Sequence, residues 1–204
     1  MREITTERTL DTAEASRAKR LRALTQEVHE RLDSTITLAP VLTTLEGYGR
    51  FVSMQYIFHR DIDPLYRDGR LQMLIRDLEG RRRLPLLERD LGDLRLAKPS
   101  ERDVPLFRRE APVDVGTALG WLYVAEGSTL GASLLRKEVA KIGMSDTHGA
   151  RHLAPAPEGP AAHWRSFTEG LNAAPLTGEE DAGAAAGALA AFAHVQALAD
   201  VCLF

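Results

Sequence analysis

The residue best placed for chemistry is a histidine in the stretch LRALTQEVHERLD. Leu21, Leu24, Val28, Leu32 and Ile36 follow the 3–4 spacing of an amphipathic helix. His29 falls at the edge of that apolar stripe. Arg22 lies seven residues earlier and Asp33 four later, so both share its face. Arg22 is then roughly 10 Å from His29 along the helix axis, at about 1.5 Å per residue. An imidazole presented in this way can ligate a metal. A carboxylate one turn on can take its other N–H, directly or through water, and fix the ligating tautomer. The plain alternative is a half-buried histidine in an ordinary helix–helix contact.

A second stretch, Trp121–Leu135, reads WLYVAEGSTLGASLL. Leu119, Leu122 and Ala125 before its middle, and Leu130, Leu134 and Leu135 after it, keep helical spacing without a proline. Gly127 and Gly131 nevertheless sit inside it on one face. Each costs a helix interior roughly 0.5–1 kcal/mol relative to alanine. Two readings stay open. The bare face is either a close helix crossing or a surface against which something flat can lie. Together with His29, the second reading suits a porphyrin. Its iron would be at the imidazole and a propionate within reach of Arg22. The opposite ring face would be left open, as oxygen activation requires.

Composition narrows the field. The 204 residues suit one domain, or at most two small ones, with 44% hydrophobic and 27% charged residues. A net charge of -3 gives no footprint for nucleic acid. The one cysteine, Cys202, excludes an intramolecular disulfide framework and a cysteine-based zinc cluster. MREITTERTL has no apolar core and does not read as a signal peptide. No apolar run approaches the roughly 18 residues of a membrane span. The expectation is a soluble cytoplasmic protein with neither a nucleic-acid nor a membrane partner.

These stretches need helices to hold them. Residues 1–13 read as a polar, poorly ordered segment, and 14–204 as one helical domain. A first helix runs from about Glu14 and cannot pass Pro40. A second spans about Val41–Arg60, with Tyr48, Phe51 and Tyr56 in the core. Asp63-Pro64 opens another segment, with Pro64 in its first turn. That segment continues through Leu71–Leu78 and ends at Gly80. The basic run Arg81–Arg83 reads as a solvated helix end or a docking surface for an acidic redox partner. Leu84–Leu94 is a short helix, and residues 95–112 are a connection. The central helix runs from Asp114, its N-cap, to about Ile142. Residues 143–159 form a loop in which His148 and His152 have a metal-like spacing but no carboxylate pattern beside them. A helix over about 161–171 follows. Thr177 and Glu180 then form a capping box for a last helix reaching Phe204. No alternating strand pattern and no fixed repeat occurs. The fold class is all-α, with seven or eight helices.

The HE-x-x-D of the first helix together with YVAEGSTLGASLL resembles the bacterial biliverdin-producing haem oxygenases, the group that includes enzymes paired with bacteriophytochromes. The resemblance covers about residues 15–204. It implies a single-domain all-α fold with haem between a proximal and a distal helix. His29 matches the iron ligand, and Gly127 and Gly131 match the distal glycines. Arg22 and Lys137 match basic positions that meet the propionates, and Tyr123 lies near the same edge. Where mammalian-type enzymes carry an aspartate after the first distal glycine, this chain has Ser128. Its distal water network must therefore be built differently.

The resemblance implies that haem b is both cofactor and substrate. O2 and an external electron donor, such as a ferredoxin or an NADPH-dependent reductase, open the ring. The products are biliverdin, ferrous iron and carbon monoxide. Arg81–Arg83 and Arg136–Lys137 are candidate contacts for an acidic donor protein, and a bacteriophytochrome is the implied biliverdin acceptor. Three rivals stand beside this reading. A thiaminase-type hydrolase of the same fold class needs a cysteine in the central cavity, whereas Cys202 is near the chain end. A haem carrier without turnover and a helical adaptor without cofactor are the others.

Overall fold

Thr177 accepts from the Glu180 N–H, and the Glu180 side chain accepts from the Thr177 N–H, closing the expected capping box. Asp114 caps the central helix by accepting from the Thr117 N–H. These two starts fix the helices on which the rest is built. The computed structural model describes residues 15–38, 41–99, 105–109 and 111–204. Seven α-helices lie within them: α1 Arg17–Leu38, α2 Leu45–Tyr66, α3 Gly69–Leu74, α4 Leu84–Asp93, α5 Val115–Ala140, α6 Pro160–Ala173 and α7 Gly178–Cys202. Short 3-10 turns occupy Glu79–Arg81 and Arg151–Leu153, and no strand occurs among the described residues. The fold is all-α, as expected. The polar segment 1–13 and the stop at Pro40 lie outside the described residues.

α7 is the slab against which α1, α2 and α5 pack. By length and composition it could cross a membrane. Here Ala184, Ala188, Ala191 and Ala199 are buried in the protein interior. The crossing of α5 on α7 is made through glycine. A Cβ added to Gly116 would collide with the Glu180 carbonyl, one on Gly120 with the Ala184 carbonyl, and one on Gly187 with Thr117. α1 and α5 both run in the direction of α7. Arg17 meets Asp181 at 2.6 Å and His29 meets Phe192 at 5.5 Å between ring centres. Likewise Gly116 lies at Glu180 and Gly120 lies at Ala184.

Three expectations need correction. Pro64 does not start a helix; it sits inside the last turn of α2. Its missing N–H costs one bond near the helix end, where burial of Ile62, Leu65 and Tyr66 holds the turn. The helix expected over Leu71–Leu78 ends at Leu74, because Ile75 is extended and Asp77 takes a positive φ of 53°. Finally, Arg81–Arg83 is not a solvated basic patch. Arg81 is 4% exposed. The chain turns extended at Arg82, so the three side chains diverge to separate partners. Arg81 pairs with Glu126 at 2.9 Å, Arg82 pairs with Asp63 at 2.7 Å, and Arg83 donates to the Ala154 carbonyl at 3.0 Å.

Candidate functional site

α1 and α5 flank α7, and Tyr123 spans the space between them. Its hydroxyl lies beside the Thr25 hydroxyl and within the field of Arg22. Burial pushes the Tyr123 phenol up, and these two neighbours act the other way. One helical turn beyond Thr25 and Tyr123 come His29 on α1 and Gly127 on α5, and a second turn brings Asp33 and Gly131.

Beyond that contact both helices are open. Residues 116–126 of α5 are almost all buried, whereas Ser128, Leu130, Gly131, Leu134 and Lys137 are exposed. A Cβ added to Gly131 meets nothing within 4 Å, and one added to Gly127 only touches the Trp164 ring at 3.7 Å. These glycines therefore do not serve a helix crossing; Gly116, Gly120 and Gly187 do. On α1 the His29 side chain is 59% exposed, and its Nε2 is 3.7 Å from Asp33 Oδ2. That separation exceeds a hydrogen bond and is of the length a water bridges. An exposed imidazole on α1 and a stretch of α5 bared by two glycines, with Leu24, Leu130 and Leu134 also exposed on these helices, fit a flat apolar ring carrying a ligatable iron.

The remaining expected positions divide. Arg22 is exposed and near Tyr123, which stacks obliquely on Trp164 at 5.5 Å. Lys137 is exposed in the last turn of α5, fourteen residues past Tyr123, or about 21 Å along the helix. It is therefore not brought beside Arg22. Its neighbour Arg136 is held by Asp146 at 2.9 Å. Ser128 donates its hydroxyl proton to the Ala125 carbonyl at 2.7 Å. It can still accept a hydrogen bond, but it cannot replace an acid.

The buried charges around Glu126 of α5 have no part in the expectations drawn from sequence. Glu126, next to Gly127, is 2% exposed. It accepts from the Tyr66 hydroxyl at 2.9 Å and from Arg81 at 2.9 Å. Burial, and then the Glu126 charge, push the Tyr66 phenol well up. A carboxylate in the apolar run WLYVAEG was the available signal. His163 of α6 approaches the same carboxylate at 3.4 Å through Nε2 and pairs with Glu158 at 2.7 Å through Nδ1.

A cavity of about 10 Å³ lies beside this network, lined by Arg83, Thr129, Ala132, His152 and His163 among others. It has room for about one water. The Nε2 atoms of His152 and His163 are both buried without a hydrogen-bond partner. Asp90 holds His152 Nδ1 at 2.8 Å. Behind it, burial, His152 and Arg83 lower the His59 imidazole to about 3. His148, by contrast, lies by Asp93 at 3.6 Å, so the i, i+4 pair is split between two carboxylates. A separate groove of about 1130 Å³, lined by Arg67, Arg70, Met73, Phe107, Arg108 and Arg109 among others, contains none of the expected site residues. Cys202 ends α7, and burial pushes its thiol up, away from the reactive thiolate.

The haem oxygenase family model matches residues 15–200. The chain is 41% identical over 176 residues to the haem oxygenase PigA of Pseudomonas aeruginosa, covering 86% of this chain and 87% of that protein. A solved haem oxygenase of Neisseria meningitidis, described in NO- and CO-bound forms, superposes with a TM-score of 0.81 at 39% identity. That match covers 90% of each chain. The haem oxygenase-1 of the cyanobacterium Synechocystis, solved in complex with haem, shares the fold alone, with a TM-score of 0.69 at 15% identity over 91% of each chain. These matches place the chain in the haem oxygenase family, as an oxidoreductase that degrades haem.

Proposed function

We propose that haem binds between α1 and α5, where His29 would hold its iron and Gly127, Ser128 and Gly131 would line the oxygen side. The single observation that carries this reading is the pairing of an exposed His29 with the open space at Gly131. Haem b supplies both the iron that takes up O2 and the ring that is oxidised.

The protein holds and shields. His29 fixes the ring position, and Asp33 orients the imidazole through water. Arg22 and Tyr123 receive a propionate at one end of the cleft. Lys137 serves the other end, or closes over the ring edge when haem is bound. An exposed salt link of this type contributes only about 0–1 kcal/mol, so the apolar walls carry most of the affinity. Ser128 accepts a hydrogen bond from water beside the oxygen site, and Trp164 screens that side from solvent. An acidic electron-donor protein and a bacteriophytochrome that takes up biliverdin are the proposed partners, on the sequence resemblance alone. With Arg81 buried and Arg82 and Arg83 held by Asp63 and the Ala154 carbonyl, the donor contact falls to the exposed Arg22 and Lys137.

Hemin titrated into the protein should give a saturable one-to-one absorption change. Ascorbate should then remove the haem band while a biliverdin band grows. A saturable complex that stays intact under reductant would favour a haem carrier. The absence of a saturable change would remove the site.

A further inference from the structure

Every polar atom of a buried side chain should find a partner, and the exceptions mark places where something passes or binds. His163 is such an exception and is only 8% exposed. Its Nδ1 is held at 2.7 Å by Glu158, a side chain 48% exposed to solvent. Its Nε2, on the other side of the ring, is buried without a hydrogen bond beside the cavity under α5. Thr129 and Ala132, on the same turns as Ser128 and Gly131, form part of that cavity's wall. One imidazole thus joins a surface carboxylate to a water-sized space beneath the oxygen-side helix.

We propose that His163 is the proton carrier of this enzyme, taking protons from Glu158 at Nδ1 and releasing them from Nε2 into the cavity under α5. The inference rests on the haem-degrading reading above. Reducing O2 to water consumes protons, and Ser128, on the proposed oxygen side, has its own proton committed to the Ala125 carbonyl. In each cycle the Glu158 carboxyl gives a proton to Nδ1 and the imidazolium loses one from Nε2 to water in the cavity. The ring is reset by a half-turn about its Cβ–Cγ bond, which returns a bare nitrogen to the Glu158 side without sending the proton back, and Glu158 takes a new proton from solvent. Histidine and glutamate end as they began, and one proton has moved inward.

The charges around the ring are set for this. Glu126 of α5 faces Nε2 at 3.4 Å, and Glu158 holds Nδ1. Arg81 donates to the His163 carbonyl at 3.3 Å, and Arg83 and His152 lie across the cavity. The Glu126 carboxylate is the main influence that raises the imidazole above its ordinary value, against burial and Arg81. His163 therefore holds its proton more firmly than a free imidazole, with a carboxylate at each ring nitrogen.

Two measurements test the assignment. In the haem-free protein, ¹⁵N NMR of the His163 ring should show a full, reversible titration with its midpoint above the ordinary imidazole value, moved to lower pH in Glu158→Gln. A ring that keeps one protonation state throughout the pH range in which the protein stays folded would overturn the proposal, whatever the enzyme does with haem. In the hemin-loaded protein, Glu158→Gln and His163→Gln should slow biliverdin formation about tenfold or more and shift its pH profile. They should also enlarge the solvent isotope effect and leave hemin affinity unchanged, and Glu158→Asp should restore much of the rate. Glu158→Gln, at the surface, keeps the test available if His163→Gln does not fold. An unchanged rate, pH profile and isotope effect in Glu158→Gln would overturn the proposal. Absence of biliverdin from the unsubstituted protein would instead overturn the functional reading.

Discussion

Tyr123 of α5 and Thr25 of α1 bring their hydroxyls together across the space between the two helices. Both helices run along α7 in the same direction. One turn beyond this contact α1 carries the exposed His29 and α5 carries Gly127, whose side-chain direction meets only the Trp164 ring. A turn further come Asp33 and Gly131, the latter facing open space.

Glycine at different turns of α5 does different work, and alanine substitutions separate the two roles. Gly131→Ala adds a methyl group to open space, so the fold should keep its stability or gain about 0.5–1 kcal/mol. Biliverdin yield per bound haem should fall, because the methyl enters the oxygen side. Gly120→Ala drives its methyl into the Ala184 carbonyl and to 2.6 Å from the Ala188 nitrogen. It should lower Tm sharply, while the protein that does fold turns over normally. Melting curves and yields on the same samples decide. A destabilised Gly131→Ala protein with normal yield would contradict the cleft.

The Arg81–Glu126 pair should behave as a buried ion pair. Both side chains are almost fully enclosed, at 3% and 2% exposure. Arg81→Met leaves Glu126 charged and unpaired in the interior. Urea unfolding at neutral pH should show a loss of about 3–5 kcal/mol, on the order of 10 °C in Tm. Adding Glu126→Leu should recover a large part of it. A loss below about 1 kcal/mol in Arg81→Met would mean that the pair does not anchor α5.

His59 should make the fold acid-sensitive. Its imidazole is lowered to about 3 from an ordinary 6.5, so between those values the unfolded chain binds a proton that the folded protein refuses. Stability should fall as pH drops through that window, by up to about 1.4 kcal/mol per unit. His163, raised by Glu126, works with the opposite sign and is common to both proteins in the comparison. Denaturant midpoints between pH 4 and 7 should therefore decline less steeply in His59→Gln than in the unsubstituted protein. Parallel slopes would remove His59 as the cause.

The helices that carry the site were legible because their signals are local. Periodicity outlined α1, and Asp114 and Thr177–Glu180 marked the starts of α5 and α7. The partners of Arg81, Arg82 and Arg83 were not legible, since Glu126, Asp63 and Ala154 lie 19 to 71 residues away. A basic run whose neighbours are distant in sequence looks solvated until the fold closes on it. The glycines carry the same lesson. Gly116 and Gly120 repeat the spacing of Gly127 and Gly131 on one helix, yet the first pair packs on α7, whereas Gly127 meets only the Trp164 ring and Gly131 faces open space. Spacing marks a bare face but not what lies against it.

The central claim is that His29 ligates haem in the α1–α5 cleft. The most direct measurement is the absorption spectrum of hemin-loaded His29→Ala with and without added imidazole. Loss of the axial ligand should change the ferric spectrum and suppress biliverdin formation, and imidazole should restore much of both by occupying the vacated site. A His29→Ala protein whose ferric spectrum and turnover match the unsubstituted enzyme, with no response to imidazole, would contradict the claim.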